Sequence, residues 1–129
     1  MNKNVQVSVT ALFDNKKVVI LGVGVTGLSC ARFLHNYQID FTVNDSRTTA
    51  ISPGHFKEHC GDSPLVLGKW DHNLIASADI LIVSPGIDLI KSGVSASISE
   101  NCQVLGDIEL FCLISNMPIL AVTGSNGKS

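Results

Sequence analysis

A short apolar run passes directly into three closely spaced glycines near the start of this 129-residue chain. Residues 16–29 read KKVVILGVGVTGLS, so four apolar residues precede Gly22, Gly24 and Gly27. An apolar run this short, bounded by glycine, is typical of a strand buried on both faces of a parallel sheet. A helical pattern follows, because apolar residues recur at positions 30, 33, 34 and 37. The stretch therefore predicts a strand, a tight glycine turn and a helix.

Each glycine has a separate predicted role in this turn. Gly22 permits the tight turn, Gly24 lets a ligand approach the backbone, and Gly27 lets the helix pack closely on the strand. The unpaired N–H groups at the start of the helix suit an anion such as pyrophosphate. Thr26 is predicted to donate to a phosphate, to cap the helix, or to do both. The spacing alone leaves one alternative open, a strand–turn–helix packing unit that binds no ligand.

Further short apolar runs predict more strands at residues 41–43, 65–68, 78–83 and 103–105. Helical patterns separate them, and Ile90, Val94 and Ile98 are predicted to share one face of the helix between the last two strands. Strands and helices that alternate at this spacing predict right-handed crossovers. The expected fold class is α/β, with a Rossmann-like open parallel sheet covered by helices on both faces.

Two polar segments follow the second and fourth predicted strands, at the edge where open α/β sheets bind ligands. They consist of Asn44, Asp45, Ser46 and Arg47, and of Ser84, Pro85 and Gly86. Asp45 lies about where a dehydrogenase keeps the acidic residue that binds the NAD ribose. An NAD(P)-binding domain of an oxidoreductase or of a ligand-sensing regulator therefore stays open as an alternative. Trp70, on a nearby loop, is interpreted as a partly buried anchor rather than as a stacking platform.

Composition excludes several classes of function. Hydrophobic residues make up 45% of the chain and charged residues 16%, which indicates a globular protein. A formal net charge of −2 provides no electrostatic footprint for nucleic acid or for an anionic membrane. The first ten residues lack the long apolar core of a signal peptide, and no apolar run approaches the length of a membrane span. We expect a cytoplasmic protein without membrane insertion and without a nucleic-acid partner.

A second glycine-rich segment ends the sequence. The apolar run 119–122 is predicted to be a strand, and TGSNGKS follows at residues 123–129. This is the layout of a P-loop, in which backbone N–H groups cradle phosphates, Lys128 reaches the β- and γ-phosphates and the Ser129 hydroxyl binds Mg²⁺. Val122 departs from the strict pattern, which has glycine or alanine there. A flexible tail with a chance Gly-Lys-Ser is the alternative.

A boundary is predicted near Gly106, before a short helix at residues 108–115. Asp107 is predicted to be the N-cap of this helix. The alternative is a paired-carboxylate site made by Asp107 and Glu109.

In this order, the motifs together resemble those of the Mur ligases of peptidoglycan synthesis, from about residue 16 to residue 129. The segments that carry the resemblance are residues 22–29, 45–47, 84–87, 106–111 and 123–129. The resemblance implies a Rossmann-like UDP-sugar-binding domain at residues 1–106. Residues 107–129 would be the truncated start of the central ATP-binding domain, its first helix and strand ending in the P-loop.

The resemblance also implies roles for individual residues. The UDP diphosphate would face Gly24, Val25, Thr26 and Gly27. The uracil region would be held by Asp45, Ser46 and Arg47, and Ser84, Pro85 and Gly86 would line the same site. ATP would be bound by Gly124, Ser125, Asn126, Gly127, Lys128 and Ser129, with Lys128 as the catalytic residue and Ser129 as a Mg²⁺ ligand.

The implied reaction adds D-glutamate to UDP-N-acetylmuramoyl-L-alanine through an acyl phosphate, with ATP and Mg²⁺. Lys128 would offset charge on the transferring phosphoryl group. The full-length enzyme is expected to be a monomer. The family's other catalytic residues match positions beyond Ser129, so the 129-residue piece is predicted to be an N-terminal fragment that is inactive alone. A non-catalytic module that captures a UDP-sugar is a further alternative.

Overall fold

A computed structural model of the protein describes residue 11 and residues 13–115, with side chains up to residue 111. Within this part of the chain, one parallel sheet has the strand order β3-β2-β1-β4-β5. Its strands are β1 Val18–Leu21, β2 Thr42–Asp45, β3 Leu65–Leu67, β4 Ile80–Val83 and β5 Gln103–Gly106. β1 has the bounds predicted from its apolar run, and the others differ from prediction by one or two residues, at both ends for β2 and at one end for β3, β4 and β5.

Helices cover both faces of this sheet, as predicted. They are α1 Val25–Asn36, α2 Pro53–Cys60, α3 His72–Ser77, the 3₁₀ helix Val94–Ser97 and α4 Asp107–Ser115. Alternate residues of β1 belong to two separate apolar clusters, because successive strand side chains point to opposite faces. Val18 and Ile20 pack in a cluster with buried residues of α1, α2 and α4. Val19 and Leu21 pack with buried residues of α3 and of the 3₁₀ helix.

The helix predicted through Ile90, Val94 and Ile98 is wrong. Ile90 is 81% exposed, whereas Val94 is fully buried, so they do not share a face. Asp88 Oδ1 accepts hydrogen bonds from the N–H groups of residues 90 and 91, and Gly93 has a left-handed φ of 81°. A side-chain acceptor that competes for backbone N–H groups, followed by a left-handed glycine, interrupts a helix. Only the 3₁₀ helix, residues 94–97, follows.

The helix α4 begins at Asp107, so Asp107 is its first residue rather than its N-cap. Glu109 instead makes a side-chain hydrogen bond at the start of this helix, because its Oε1 accepts from the N–H of Gly106 over 2.9 Å. Leu110 is fully buried in the cluster that contains α1, and the rings of Phe33 and Phe111 meet edge to face at 5.7 Å. The division into residues 1–106 and 107–129 stays a prediction. The predicted strand at 119–122 and the P-loop lie outside the described residues.

Candidate functional site

A cleft of about 680 Å³ lies at the carboxyl edge of the sheet. The sheet order places β1 between β2 and β4, and such a topological switch point is where open α/β sheets bind ligands. The cleft contains nine of the ten residues predicted for the UDP-sugar: Gly24, Val25, Thr26, Asp45, Ser46, Arg47, Ser84, Pro85 and Gly86. Further lining residues come from the same loops and one neighbouring loop: Gly22, Trp70, Ile87, Asp88, Lys91 and Ser92.

Gly22 was predicted to permit the tight turn and Gly27 to permit close packing, and both positions require glycine. Gly22 has φ +91°, and a Cβ there would lie 2.8 Å from Ser84 Oγ and 2.9 Å from the Ile87 side chain. Gly27, the tenth predicted residue, does not line the cleft. It is buried, and a Cβ there would overlap the carbonyl oxygen of Gly22. Ser84 Oγ donates to that same oxygen over 3.2 Å, which joins the β1 and β4 turns.

Gly24 has a different environment, since no atom lies within 4 Å of where its Cβ would be. It is the N-cap of α1, and no side chain caps this helix. Thr26 therefore does not have the capping role that was one of its two predicted functions. The first helical bond runs from the N–H of Leu28 to Gly24 O, so the N–H groups of residues 25–27 precede it. These N–H groups form the positive end of the helix dipole, which favours an anion in the cleft.

Asp45 is 2% exposed and holds two parts of the site together. Its Oδ2 accepts from the N–H of Val23 at 2.9 Å and from Arg47 Nη2 at 2.8 Å. Its Oδ1 accepts from the N–H of Arg47 at 2.9 Å and from Arg47 Nε at 3.0 Å. Burial raises the pKa of Asp45, but hydrogen bonds from Arg47 and Val23 outweigh it and hold the pKa below its ordinary 3.8.

This arrangement uses the hydrogen-bonding capacity of Asp45. A carboxylate offers about four acceptor directions, and four donors already occupy them. A ribose hydroxyl could bond to Asp45 only after the Arg47 side chain had moved away. The arrangement favours a positioning role for Asp45, whereas Arg47, whose side chain is 61% exposed, presents a cation to the cleft.

Lys91 is a cleft residue that the sequence patterns did not indicate. It is exposed, and the ion pairs found among residues 13–111 do not include it. It follows β4, whereas Arg47 follows β2, so the two cations come from the strands on either side of β1. The predicted helix through residues 90–98 gave no reason to place Lys91 near the glycine turn.

The predicted ATP and Mg²⁺ sites do not fall in the described part of the chain. The ATP-loop residues, 124–129, lie outside it. Residues 13–111 contain no cluster of three or more His, Cys, Asp or Glu side chains that could hold a metal ion. None of the described helices has the length and apolar character needed to cross a membrane.

Comparison with known proteins decides the family of this chain. Residues 16–106 match the family described as Mur ligase MurD-like, N-terminal domain. The chain belongs to the MurD-like Mur ligases. One relative is the UDP-N-acetylmuramoylalanine–D-glutamate ligase of Colwellia psychrerythraea, which is 50% identical over 126 residues. That alignment covers 91% of this chain and 27% of the relative, so the chain spans about a quarter of the length of the ligase it matches.

Solved structures of two kinds are similar to this Mur ligase domain. A pseudomurein peptide ligase type C from Methanothermus fervidus superimposes with a TM-score of 0.62 and 27% identity, over 76% of this chain and 20% of that one. An L-tryptophan dehydrogenase from Nostoc punctiforme superimposes with a TM-score of 0.51 and 17% identity, over 95% of this chain and 37% of that one. The second likeness shows the fold alone. The family and the ligase relatives do not favour the NAD(P)-binding alternative.

Proposed function

We propose that the cleft binds the uridine diphosphate moiety of UDP-N-acetylmuramoyl-L-alanine. The observation that carries this proposal is the uncapped N-terminus of α1, which opens into the cleft beside Gly24. Backbone N–H groups and the helix dipole there suit a diphosphate. Arg47 and Lys91 also line this cleft, where the charge of Arg47 is paired with Asp45 and Asp88 is a further lining residue. The name of the 50% identical relative supplies the substrate class.

The site also provides a physical reason for preferring a uridine nucleotide to NAD(P). A dinucleotide-binding domain with this kind of sheet uses an acidic residue at the end of β2 to accept hydrogen bonds from the ribose hydroxyls. Asp45 has that position, but its oxygens already accept from Val23 and Arg47. Displacing Arg47 would leave the buried carboxylate without its charged partner, which costs free energy. A ligand that leaves this pair intact is therefore favoured.

For the whole protein we propose the activity of the relative, the ADP-forming ligation of D-glutamate to UDP-N-acetylmuramoyl-L-alanine. Gly124, Ser125, Asn126 and Gly127 would hold ATP with Lys128 and Ser129, and Ser129 would bind Mg²⁺. Residues 1–106 would then form the UDP-sugar domain, and residues 107–129 the start of the ATP-binding domain. We further propose that the enzyme is a cytoplasmic monomer with small-molecule substrates.

Thermal unfolding of the 129-residue chain tests the ligand class. A ligand present at about ten times its dissociation constant adds about 1.4 kcal/mol to the free energy of unfolding. For a domain of this size, that gain raises the Tm by several degrees. We expect UDP and UDP-N-acetylmuramoyl-L-alanine to raise the Tm and NAD⁺ at equal concentration to leave it unchanged. A larger rise with NAD⁺ would instead support the dehydrogenase-like alternative.

A further inference from the structure

The buried side chain of Asn44 fixes the loop on one side of the cleft. Asn44 is 0% exposed, and its Nδ2 donates to the carbonyl oxygens of Val66 and Lys69, both over 2.9 Å. Its Oδ1 accepts from the N–H of Asp71 over 2.8 Å. These bonds attach the backbone on both sides of Trp70 to the end of β2. The loop that carries Trp70 is therefore held by a satisfied buried amide rather than by surface contacts alone.

The same Asn44 also supports the glycine turn. Its backbone carbonyl accepts from the N–H of Gly22 over 2.8 Å, so Asn44 links the glycine turn to the loop that carries Trp70. Trp70 is half-buried and packs against the apolar cluster that contains Leu21. It also lines the cleft. The indole thus has one part packed on the core and another part facing the ligand space.

Trp70 lies on a defined side of the glycine turn after β1. It follows β3, which pairs with β2, so it lies on the same side of β1 as Arg47. Lys91 and the turn at Ser84 follow β4, on the other side. Planar groups, an indole and a guanidinium, are therefore gathered on one side of the turn. Among residues 13–111, no hydrogen-bond acceptor takes the indole N–H of Trp70.

We infer that Trp70 is the aromatic wall against which the nucleotide base stacks and that Asn44 is its positioning residue. The inference rests on the proposed function, since it requires a nucleotide diphosphate at the N-terminus of α1. A base has a π-face that an indole recognises, and a wall fixed before binding loses little conformational freedom when the base arrives. The bound nucleotide would then direct its base toward β3 and its second phosphate toward β4 and Lys91. The anchor interpretation of Trp70 and the stacking role hold together.

Tryptophan fluorescence tests this inference directly, because Trp70 is the single tryptophan of the 129-residue chain. UDP is titrated into the chain, with inorganic pyrophosphate as the ligand that lacks a base, and calorimetry measures both affinities independently. We expect UDP to quench or shift the emission and pyrophosphate to leave it unchanged. Trp70→Leu should weaken UDP binding about tenfold and Trp70→Phe about threefold, with pyrophosphate affinity unaltered.

Asn44→Ala provides a second readout, because the loop should then hold Trp70 less rigidly. We expect lower fluorescence anisotropy of Trp70 and weaker UDP binding in a variant that remains folded. If Asn44→Ala does not fold, the two Trp70 variants still decide the question. This inference alone would be overturned if calorimetry detected UDP binding while the tryptophan emission stayed unchanged. It would also be overturned if Trp70→Leu lost affinity for UDP and for pyrophosphate by the same factor. Absence of UDP binding by the unaltered chain would overturn the proposed function as well.

Discussion

The N–H of Val23 donates a hydrogen bond to the buried carboxylate of Asp45 over 2.9 Å. Val23 belongs to the glycine turn after β1, and Asp45 is the last residue of β2. The bond therefore fixes the turn that begins α1 against the neighbouring strand. Arg47 completes the arrangement by donating to both oxygens of the same carboxylate. Two segments that the sequence marks as parts of a binding site thus stabilise each other before any ligand is present.

This carboxylate makes stability depend on pH in a defined direction. The pKa of Asp45 is below its ordinary 3.8 in the folded chain, because the bonds from Arg47 and Val23 outweigh burial. Its stabilising contribution is present above 3.8 and is lost as the pH falls through the lowered folded-state pKa. Urea unfolding of the unaltered chain and of Asp45→Asn from pH 6 down to pH 3 checks this.

We expect Asp45→Asn to be less stable by about 2 kcal/mol at pH 6, since hydrogen bonds to a charged group are lost. The difference between the two proteins should narrow as the pH falls toward 3. Other carboxylates titrate in both proteins, so the difference isolates Asp45. Two curves that stay parallel over this range would contradict the assigned role.

Alanine substitutions at Gly27 and Gly24 should separate packing from ligand approach. Gly27→Ala places a Cβ onto the carbonyl oxygen of Gly22, so we expect a loss of more than about 2 kcal/mol in the free energy of unfolding. Gly24→Ala places its Cβ in open space and should cost no more than about 1 kcal/mol. Its UDP affinity should nevertheless fall at least about tenfold, because the methyl group stands where the diphosphate approaches. Urea unfolding and calorimetry measure the two quantities, and full UDP affinity in Gly24→Ala would argue against the site.

Lys91→Met should weaken UDP binding several-fold and reduce its dependence on salt, because a cation of the cleft is removed. Lys57→Met is the matched control. Lys57 lies on α2, pairs with Asp62 at 3.7 Å and does not line the cleft. Titrations at two salt concentrations measure the effect. Equal behaviour of the two variants would remove Lys91 from the site.

The sequence predicted the centre of the sheet well because β1 and β4 are buried on both faces. Residues 18–21 and 80–83 are short continuous apolar runs, which are typical of central strands of a parallel sheet. The region after Pro85 was predicted wrongly for a local reason. Apolar residues at helical spacing indicated a helix, but the Asp88 carboxylate captures two backbone N–H groups and Gly93 has a left-handed conformation. Such side-chain competition is not visible in a pattern of apolar residues.

The same limit applies to the site. Motif spacing placed nine residues on one cleft, because parallel strands end at the same edge of the sheet. It did not show that Arg47 and the N–H of Val23 occupy the oxygens of Asp45, since this depends on side-chain conformation and on the path of the glycine turn. Asn44 belonged to the predicted polar segment at the end of β2, but the pattern assigned it no separate role. Its importance comes from three hydrogen bonds to residues more than twenty positions away.

The 129-residue chain by itself is expected to form no amide bond from UDP-N-acetylmuramoyl-L-alanine, D-glutamate and ATP. The chain spans 27% of the length of its Colwellia psychrerythraea relative, and phosphoryl transfer needs further metal and substrate ligands. Product formation is measured with that full-length relative as the positive control. ATP-dependent product from the chain alone would show that these residues suffice.

Backbone amide NMR during a UDP titration observes the very N–H groups to which the diphosphate is assigned. We expect the resonances of Val25, Thr26 and Gly27 to shift most as UDP saturates the chain, and uridine without phosphates to leave them nearly unmoved. If saturating UDP left these three resonances unshifted, or if NAD⁺ shifted them further than UDP, a uridine diphosphate would not be the ligand of the N-terminus of α1.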